Sequence, residues 1–576
     1  MATPKHSPDS TDAETISAST ATHTTKQSSK DDVRPYLYVC LLLWVIIAGL
    51  LTFGFMNSND ERIYIGFIGA GSHAWTVDDG SLYLDMIEQA QNGAWLFKNR
   101  FSPEIGPPRY LNSVWIVVGK LGGLVGLAPL WAYAAFRFIV IIPFIAALRG
   151  AIREFVKNRA ARPLALVLIV FGGGLGWIFG VLDQFYQPAI NFFIETRKHE
   201  VWNFLPTMIA PHHILAMALV IWIMTGMAAV TRGEKRPLWL APLLALILAT
   251  FHPYDLPAIY AVGFIYLIIL WLKDAKINRA LLGLYSGIVI VSLPLLAYHY
   301  WALSTAPDLR GLFLQNDIRP FSSIKYVIGL LPLGLLALRQ LSLGLANFRT
   351  TSSSDLLIIS WALALPVMLY SFPEVSFAWK LTIGMPLPIC VLAVDWIHKR
   401  AMREYELNPS QRRPLWRANR AITYIVIVSL LSSTYIALSI MHTARGKKPP
   451  YYISRADYNA LRWLAAQPGE DNTVFAARLP VGVVTPRFAN KRAFMGHDHQ
   501  TVNFTEKEDF GRSLFVDGVL SVDELQELRR HRVQWIYVGN KEREWWPEPT
   551  PSQFLSLDYD RDGVKIYKVH YTGEID

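Results

Sequence analysis

Residues 36–56 read YLYVCLLLWVIIAGLLTFGFM, a run of 21 residues without a charged side chain. At 1.5 Å per residue, a helix of this length covers about 31 Å, which matches the hydrocarbon thickness of a bilayer. The run follows Arg34-Pro35, and the small-residue cleavage site of a signal peptide is absent. It therefore predicts a first membrane span that is not removed.

Similar apolar runs recur along the chain, and hydrophobic residues make up 52% of it against 17% charged residues. Soluble globular chains carry about 25% charged residues, so the composition excludes an ordinary soluble enzyme. We expect a mainly α polytopic membrane protein with about 11 transmembrane helices. The further spans are predicted at about 131–148, 163–181, 207–230, 238–251, 256–272, 280–301, 322–338, 355–371, 381–397 and 421–441.

The run at 110–128 is also apolar, but it contains Lys120, and we interpret it as a juxtamembrane or re-entrant helix. If it does not cross, the connectors fall into two sets on opposite sides of the membrane. One set holds 20 Lys and Arg residues and the other, although longer, holds 9. The basic set comprises residues 149–162, 232–236, 273–279, 339–349 and 398–420.

The formal net charge of +10 would by itself suggest nucleic acid or an acidic surface as a partner. The positive-inside rule offers another explanation, because basic residues are concentrated in the cytoplasmic loops of membrane proteins. We therefore expect no nucleic-acid partner. The N-terminus should be cytoplasmic and the C-terminal domain extracytoplasmic, in a multi-pass protein of the plasma (inner) membrane.

Three regions differ in composition. Residues 1–35 are rich in Ser, Thr, Ala and Asp, which predicts a disordered cytoplasmic tail. Residues 36–449 form the transmembrane domain, in which residues 57–109 are the first outer loop. Residues 450–576 are expected to form a soluble extracytoplasmic α/β domain.

Local patterns within the last region support that expectation. Ser454 with Asp457 and Ser521 with Glu524 have the spacing of helix capping boxes. The stretches 474–477, 533–538 and 564–569 are rich in apolar, mainly β-branched and aromatic residues and are interpreted as strands.

An acidic pair, Asp78-Asp79, lies in the first outer loop before an amphipathic stretch that contains Leu82 and Tyr83. A carboxylate at the membrane face can act as a general base or bind a metal. Asp79 also stands where a helix N-cap would lie, and a capping carboxylate is the structural alternative. The sequence leaves both interpretations open.

Other polar residues are expected on the same side of the membrane. Ionisable groups at membrane depth are costly and usually face a cavity, so their grouping favours one outward cavity. Each group also has a structural alternative, as a corner between spans or as an interfacial pair. The groups are His212 and His213, then His252, Tyr254 and Asp255, then Arg319, and finally Glu374 and Lys380.

Two further residues stand apart in the sequence. Arg137 lies in the outer half of its span, where it could bind a phosphate or pair with a carboxylate, or extend to the interface. His497 lies in the polar loop 494–501, which could line the roof of the cavity, bind a metal or be a surface loop.

The order of these features resembles the GT-C membrane glycosyltransferases. The stretch VDDGSLY at 77–83, followed by QNGAW at 91–95, is similar to the acidic motif and juxtamembrane helix of that family. The HPY corner at 252–254 and the loop from Gly496 to Thr501 are similar to features of uncharacterised bacterial members.

The resemblance implies an inverting transfer of sugar from a polyprenyl-phosphate donor to a glycan, lipid or protein acceptor. Asp78 or Asp79 would be the base, and Arg137, Arg319 or Lys380 would stabilise the departing lipid phosphate. Some members of that family bind a divalent metal through acidic residues and others do not, and here Asp78, Asp79 and Asp255 could bind a divalent cation such as Mg²⁺ or Mn²⁺. The alternatives are a non-enzymatic transporter or lipid flippase, and an inactive membrane scaffold.

Overall fold

The structure is a computed structural model, and it describes residues 33–67, 75–182, 201–235, 237–315, 322–371, 378–407, 420–515 and 518–571. Within these ranges, nine helices are long and apolar enough to cross a membrane. They are Arg34–Met56, Pro129–Phe155, Arg159–Leu182, Pro211–Thr231, Pro253–Asp274, Arg279–Thr305, Ser353–Tyr370, Lys380–Arg403 and Arg420–Arg445.

A bent pair of helices, Ser323–Leu330 and Leu333–Ala346, raises this number to ten if it counts as one span. The two helices meet at 97°. Pro332 lies at the break, and proline both lacks an N–H and disfavours helical geometry in the residue before it. The polytopic α architecture is therefore confirmed, with a bend inside the run predicted at 322–338.

The run at 238–251 is not among these long helices, because its helix, Leu240–Ala249, has only ten residues and covers about 15 Å. The chain nevertheless returns along it to the end where helix Pro211–Thr231 begins, since the rings of His252 and His213 lie 4.5 Å apart. The run at 110–128 forms the short helix Ser113–Leu124. At 12 residues this helix is also too short to cross, in agreement with the predicted juxtamembrane or re-entrant element.

The amphipathic stretch of the first outer loop forms helix α1, Trp75–Gln91, which packs on helix α2, Ser113–Leu124. The contact is close because α2 presents a glycine. A Cβ atom at Gly119 would lie 2.5 Å from the Cβ of Ala90 and 2.6 Å from the carbonyl oxygen of Ile87. The juxtamembrane helix therefore supports the helix that carries the acidic pair.

The remaining helices complete the described helical region. Those within or beside the spans are Pro129–Ile139, Ile141–Phe155, Arg162–Phe171, Gly176–Leu182, Phe204–Ile209, Leu256–Asp274, Arg310–Leu314, Ser353–Ser371 and Pro386–Leu407. Short 3-10 turns lie at Arg159–Ala161, Pro253–Asp255 and Ala378–Thr382.

The C-terminal region is an α/β unit around a mixed five-stranded sheet. The capping boxes at Ser454 and Ser521 both form. The strands are β1 Thr473–Phe475, β2 Arg492–Ala493, β3 Val533–Val538, β4 Leu555–Arg561 and β5 Val564–Val569, in the order β2-β1-β3-β5-β4. The helices are Arg455–Ala465, Thr485–Ala489, Phe504–Ser513 and Val522–Arg530.

The first outer loop is bound to this C-terminal unit by backbone pairing. Strand Arg62–Tyr64 pairs antiparallel with strand Tyr452–Ser454. The N–H groups of Ala493 and Gly496 donate to the carbonyls of Arg100 and Phe101, at 2.9 and 3.2 Å. These contacts bring the loop at 494–501 next to the start of α1.

Candidate active site

The acidic pair lies inside α1, because the helix begins at Trp75. Asp79 therefore lies within the helix, and the structural alternative, a carboxylate that caps the start of the helix, is wrong. Asp78 is only 1% exposed, and a guanidinium N–H of Arg478 donates to its Oδ2 at 2.6 Å. Burial raises the pKa of Asp78 to about 7, although the charges of His497 and Arg478 act in the opposite direction.

His497 joins the C-terminal unit to the second carboxylate. Its Nε2 lies 3.4 Å from Oδ1 of Asp79, and its Nδ1 lies 3.0 Å from Oδ1 of Asp498. Burial alone would lower the pKa of His497, but hydrogen bonds to Asp498 and Asp79 outweigh it and raise the pKa to about 10. The backbone N–H of His499 also donates to Nδ1 of His497, at 3.0 Å.

Thr501 fixes the loop that carries this histidine. Its Oγ1 accepts from the N–H groups of Gly496 and His497, both at 3.1 Å, and donates to the carbonyl of Phe101 at 2.6 Å. The loop is thus attached to the first outer loop and is not an independent surface loop. Asp79 keeps access to solvent, since 36% of its side chain is exposed.

Histidines from two neighbouring spans lie beside α1. The ring of Tyr83, one turn after Asp79, packs 4.6 Å from the ring of His212. The ring of His213 lies 4.4 Å from His212 and 4.5 Å from His252, and all three are buried. Two groups that are separate in sequence therefore form one cluster.

Tyr254 and Lys380 extend the same polar region. The Lys380 ammonium lies 4.3 Å from the centre of the Tyr254 ring, which in turn contacts His252 at 5.4 Å. Burial lowers the pKa of His499, and the charge of Lys380 lowers it further while that of Asp79 raises it. The charges of Lys380 and Asp79 therefore both influence the pKa of one side chain, that of His499.

Asp255 pairs with the histidine cluster. Its Oδ2 lies 3.0 Å from Nδ1 of His252. Arg137 is placed differently: it is buried with its guanidinium 4.7 Å from the Tyr133 ring, and it borders a recess lined by Ile47, Leu50 and Met208. It does not extend to the protein surface. Arg319 and Glu374 lie outside the described residues.

In the part of the chain that the structure describes, Asp78, Asp79 and Asp255 do not lie close enough together to form a group of three metal ligands. Among the described residues, the one group of three side chains that could hold a metal is His212, His213 and His252. Asp78 and Asp79 instead have Arg478 and His497 as cationic neighbours. These neighbours reduce the attraction of the two carboxylates for a further cation such as Mg²⁺ or Mn²⁺.

Three residues of this region were not among the predicted site residues: Arg478, Asp498 and His499. The last two lie in the polar loop that contains His497, so the density of ionisable residues there was a usable indication. No comparable group of ionisable residues surrounds Arg478 in the sequence. It follows strand β1 and meets Asp78 across 400 residues of chain.

The raised pKa of His497 predicts a stability change at alkaline pH. Below its ordinary pKa of 6.5 the ring is protonated in the folded and unfolded chain, and its ion pairs stabilise the fold fully. Between about 6.5 and 10 only the folded chain keeps the proton, so this stabilisation is lost as the pH rises. We expect the unfolding temperature of wild type to fall across this window more steeply than that of His497→Gln, measured by intrinsic fluorescence. His499→Gln is the matched control and should keep the wild-type slope; equal slopes in all three proteins would contradict the prediction.

No protein-family model matches this sequence, and no curated protein matches it. Solved structures do resemble it. The Archaeoglobus fulgidus oligosaccharyltransferase tethered to an acceptor peptide with an NVT sequon superposes with a TM-score of 0.51 at 10% identity, over 88% of this chain and 69% of that one. Its apo form gives 0.50 at 12% identity, with the same coverage. ArnT from Cupriavidus metallidurans in the apo state gives 0.45 at 11%, over 91% and 97% of the two chains.

Proposed function

Because this chain has the fold of the GT-C membrane glycosyltransferases, we propose that it transfers a sugar from a polyprenyl-phosphate donor to an acceptor on the extracytoplasmic side of the plasma membrane. The observation that carries the proposal is the solvent-accessible carboxylate of Asp79 next to His497, in a polar region that also contains Lys380. An inverting displacement needs one base and a stabilised leaving group, and this region offers both.

Asp79 is the base in this proposal. Its carboxylate takes the proton of the acceptor group, whose heteroatom attacks the anomeric carbon of the sugar. The bond between that carbon and the lipid phosphate breaks, and the bonding electrons leave with the phosphate. Asp78 is unsuited to contact the acceptor, because it is 1% exposed and bound to Arg478.

The cationic residues have separate tasks. Lys380 stabilises the phosphate that leaves, since an ammonium held near the developing charge costs no reorganisation during the reaction. Arg478 holds the buried charge of Asp78, and His497 fixes the orientation of Asp79. Arg137 is a positioning residue at most, because its guanidinium lies over the Tyr133 ring.

A transfer assay tests this function. The purified protein in detergent is incubated with a panel of polyprenyl-phosphate sugars and a membrane extract as the source of acceptors. Release of the polyprenyl phosphate together with incorporation of labelled sugar is the expected result. In proteoliposomes that contain the protein, movement of the intact lipid across the bilayer without bond cleavage would instead support the transporter or flippase alternative.

The proposed side of transfer makes a topological prediction. The basic connectors hold 20 Lys and Arg residues against 9 in the opposite loops, which favours a cytoplasmic position for the connector at 149–162. Alkaline phosphatase fused after Phe155 should be inactive, whereas the same enzyme fused to the C-terminal end should be active. Activity of the Phe155 fusion would invert the topology and move the acidic pair to the cytoplasm.

A further inference from the structure

Three histidines meet where two neighbouring spans begin. His212 and His213 are the second and third residues of helix Pro211–Thr231, and His252 immediately precedes the turn Pro253–Asp255. The three side chains are 5%, 5% and 2% exposed. One ring nitrogen from each lies within 4.8 Å of the other two.

We propose that His212, His213 and His252 bind a transition-metal cation of the zinc class. Zinc binds imidazole nitrogen at about 2.0–2.1 Å, which places the nitrogens of a tetrahedral site about 3.3 Å apart. The observed separations are within about 1.5 Å of that value, a difference that small rotations of the three rings can close. Three neutral imidazoles favour zinc, copper, nickel or iron over magnesium and manganese.

A carboxylate beside the cluster supports this assignment. Histidine ligands commonly donate their second ring N–H to a carboxylate, which fixes the tautomer and increases the basicity of the ligand nitrogen. Oδ2 of Asp255 lies 3.0 Å from Nδ1 of His252. The carboxylate thus places one negative charge beside the cluster, where it favours a bound cation.

The site is distinct from the acidic pair. Asp78 and Asp79 are engaged with Arg478 and His497, whereas the histidine cluster contacts α1 through the ring of Tyr83. Three protein ligands leave a fourth position for water or for an oxygen atom of a bound molecule, as in zinc sites that are not closed. The bound cation also links the start of helix Pro211–Thr231 to the turn after His252.

Metal binding is measured on the full-length protein in detergent, after removal of metal with a chelator. The stripped protein is titrated with Co²⁺, whose visible d–d absorption reports tetrahedral coordination, and then with Zn²⁺ as a competitor. We expect one cation per chain and displacement of cobalt by zinc. Failure of the wild-type protein to bind either ion stoichiometrically would overturn the proposal.

Metal binding by substituted proteins tests whether the three histidines are the ligands. His213→Gln and His252→Gln should lose stoichiometric binding, whereas Asp255→Asn, which keeps all three ligands, should bind about 10–100-fold more weakly. His299→Gln is the matched control: it replaces a buried histidine outside the cluster whose Nε2 lies 3.1 Å from the carbonyl of Ala249, a contact that glutamine can keep. His499→Gln controls for binding in the C-terminal unit.

Each outcome decides the question. Metal retained by His213→Gln, or lost from His499→Gln alone, would overturn the assignment. If a ligand variant elutes as aggregate, Asp255→Asn provides the decision, and wild-type affinity in that variant would overturn the proposal. No substrate is present in the titration, so a failure to bind metal would not contradict the proposed glycosyl transfer. Conversely, a protein that binds cobalt but transfers no sugar would still support this metal site.

Discussion

Replacing Asp79 by Asn should lower the turnover number for sugar transfer by about 10²–10⁴-fold, the usual contribution of a positioned general base. The amide keeps the size of the side chain and a hydrogen-bond acceptor for His497, but it cannot take a proton from the acceptor. The measurement is single-turnover transfer with enzyme in excess over the donor, so that chemistry and not product release limits the rate.

Two variants on the same helix serve as controls. Asp78→Asn should cost less, because asparagine still accepts from Arg478 and because the buried Asp78 does not reach solvent. Glu88→Gln removes a partly exposed carboxylate that pairs with Arg100 and should stay within a few-fold of wild type. A large loss in Asp78→Asn with an active Asp79→Asn would assign the base to Asp78, and no loss in either would refute catalysis by the acidic pair.

The fold was predictable where the determining interactions are local. The capping boxes at Ser454 and Ser521 each satisfy backbone donors within three residues, so the sequence alone indicates where those helices begin. The spans were predictable for a related reason, since a continuous apolar run has few stable alternatives to a membrane helix. The short helix Leu240–Ala249 shows the limit, because apolar composition does not determine where a helix ends.

The candidate site was predictable only in parts. The acidic pair and the histidine groups stand out by residue type, but their partners come from distant segments. His497 lies 418 residues from Asp79, and Arg478 lies 400 from Asp78. Nothing in one sequence reports such pairings, because they depend on how the first outer loop packs against the C-terminal unit. The histidine cluster was not predictable for the same reason, since its members lie at the starts of two different spans whose packing the sequence does not report.

One buried arginine holds that packing together, and its replacement should have the largest effect on stability. Arg492 is fully buried, and its Nη1 donates to the carbonyls of Asn99 and Glu104 at 2.8 and 3.0 Å. Arg492→Met keeps most of the volume and removes the donors. A buried acceptor left without a donor costs about 1–3 kcal/mol, so we expect a loss of about 2–5 kcal/mol in the free energy that holds the two segments together.

Hydrogen exchange is the appropriate measurement, because it reports local opening without requiring two-state unfolding of the whole chain. Amides of strand β2 and of the loop at 494–501 should lose protection by about 30-fold or more in Arg492→Met, since 1.4 kcal/mol corresponds to a factor of ten. Arg529→Met, at an exposed position of helix Val522–Arg530, is the control and should exchange like wild type.

Arg492→Lys separates the effect of charge from that of geometry, because a lysine ammonium on a flexible stem cannot reproduce the fixed fork of donors. Protection restored by lysine would mean that charge alone suffices; protection lost in both variants would show that the guanidinium itself joins strand β2, which precedes the loop carrying His497, to the segment that follows the helix carrying Asp79.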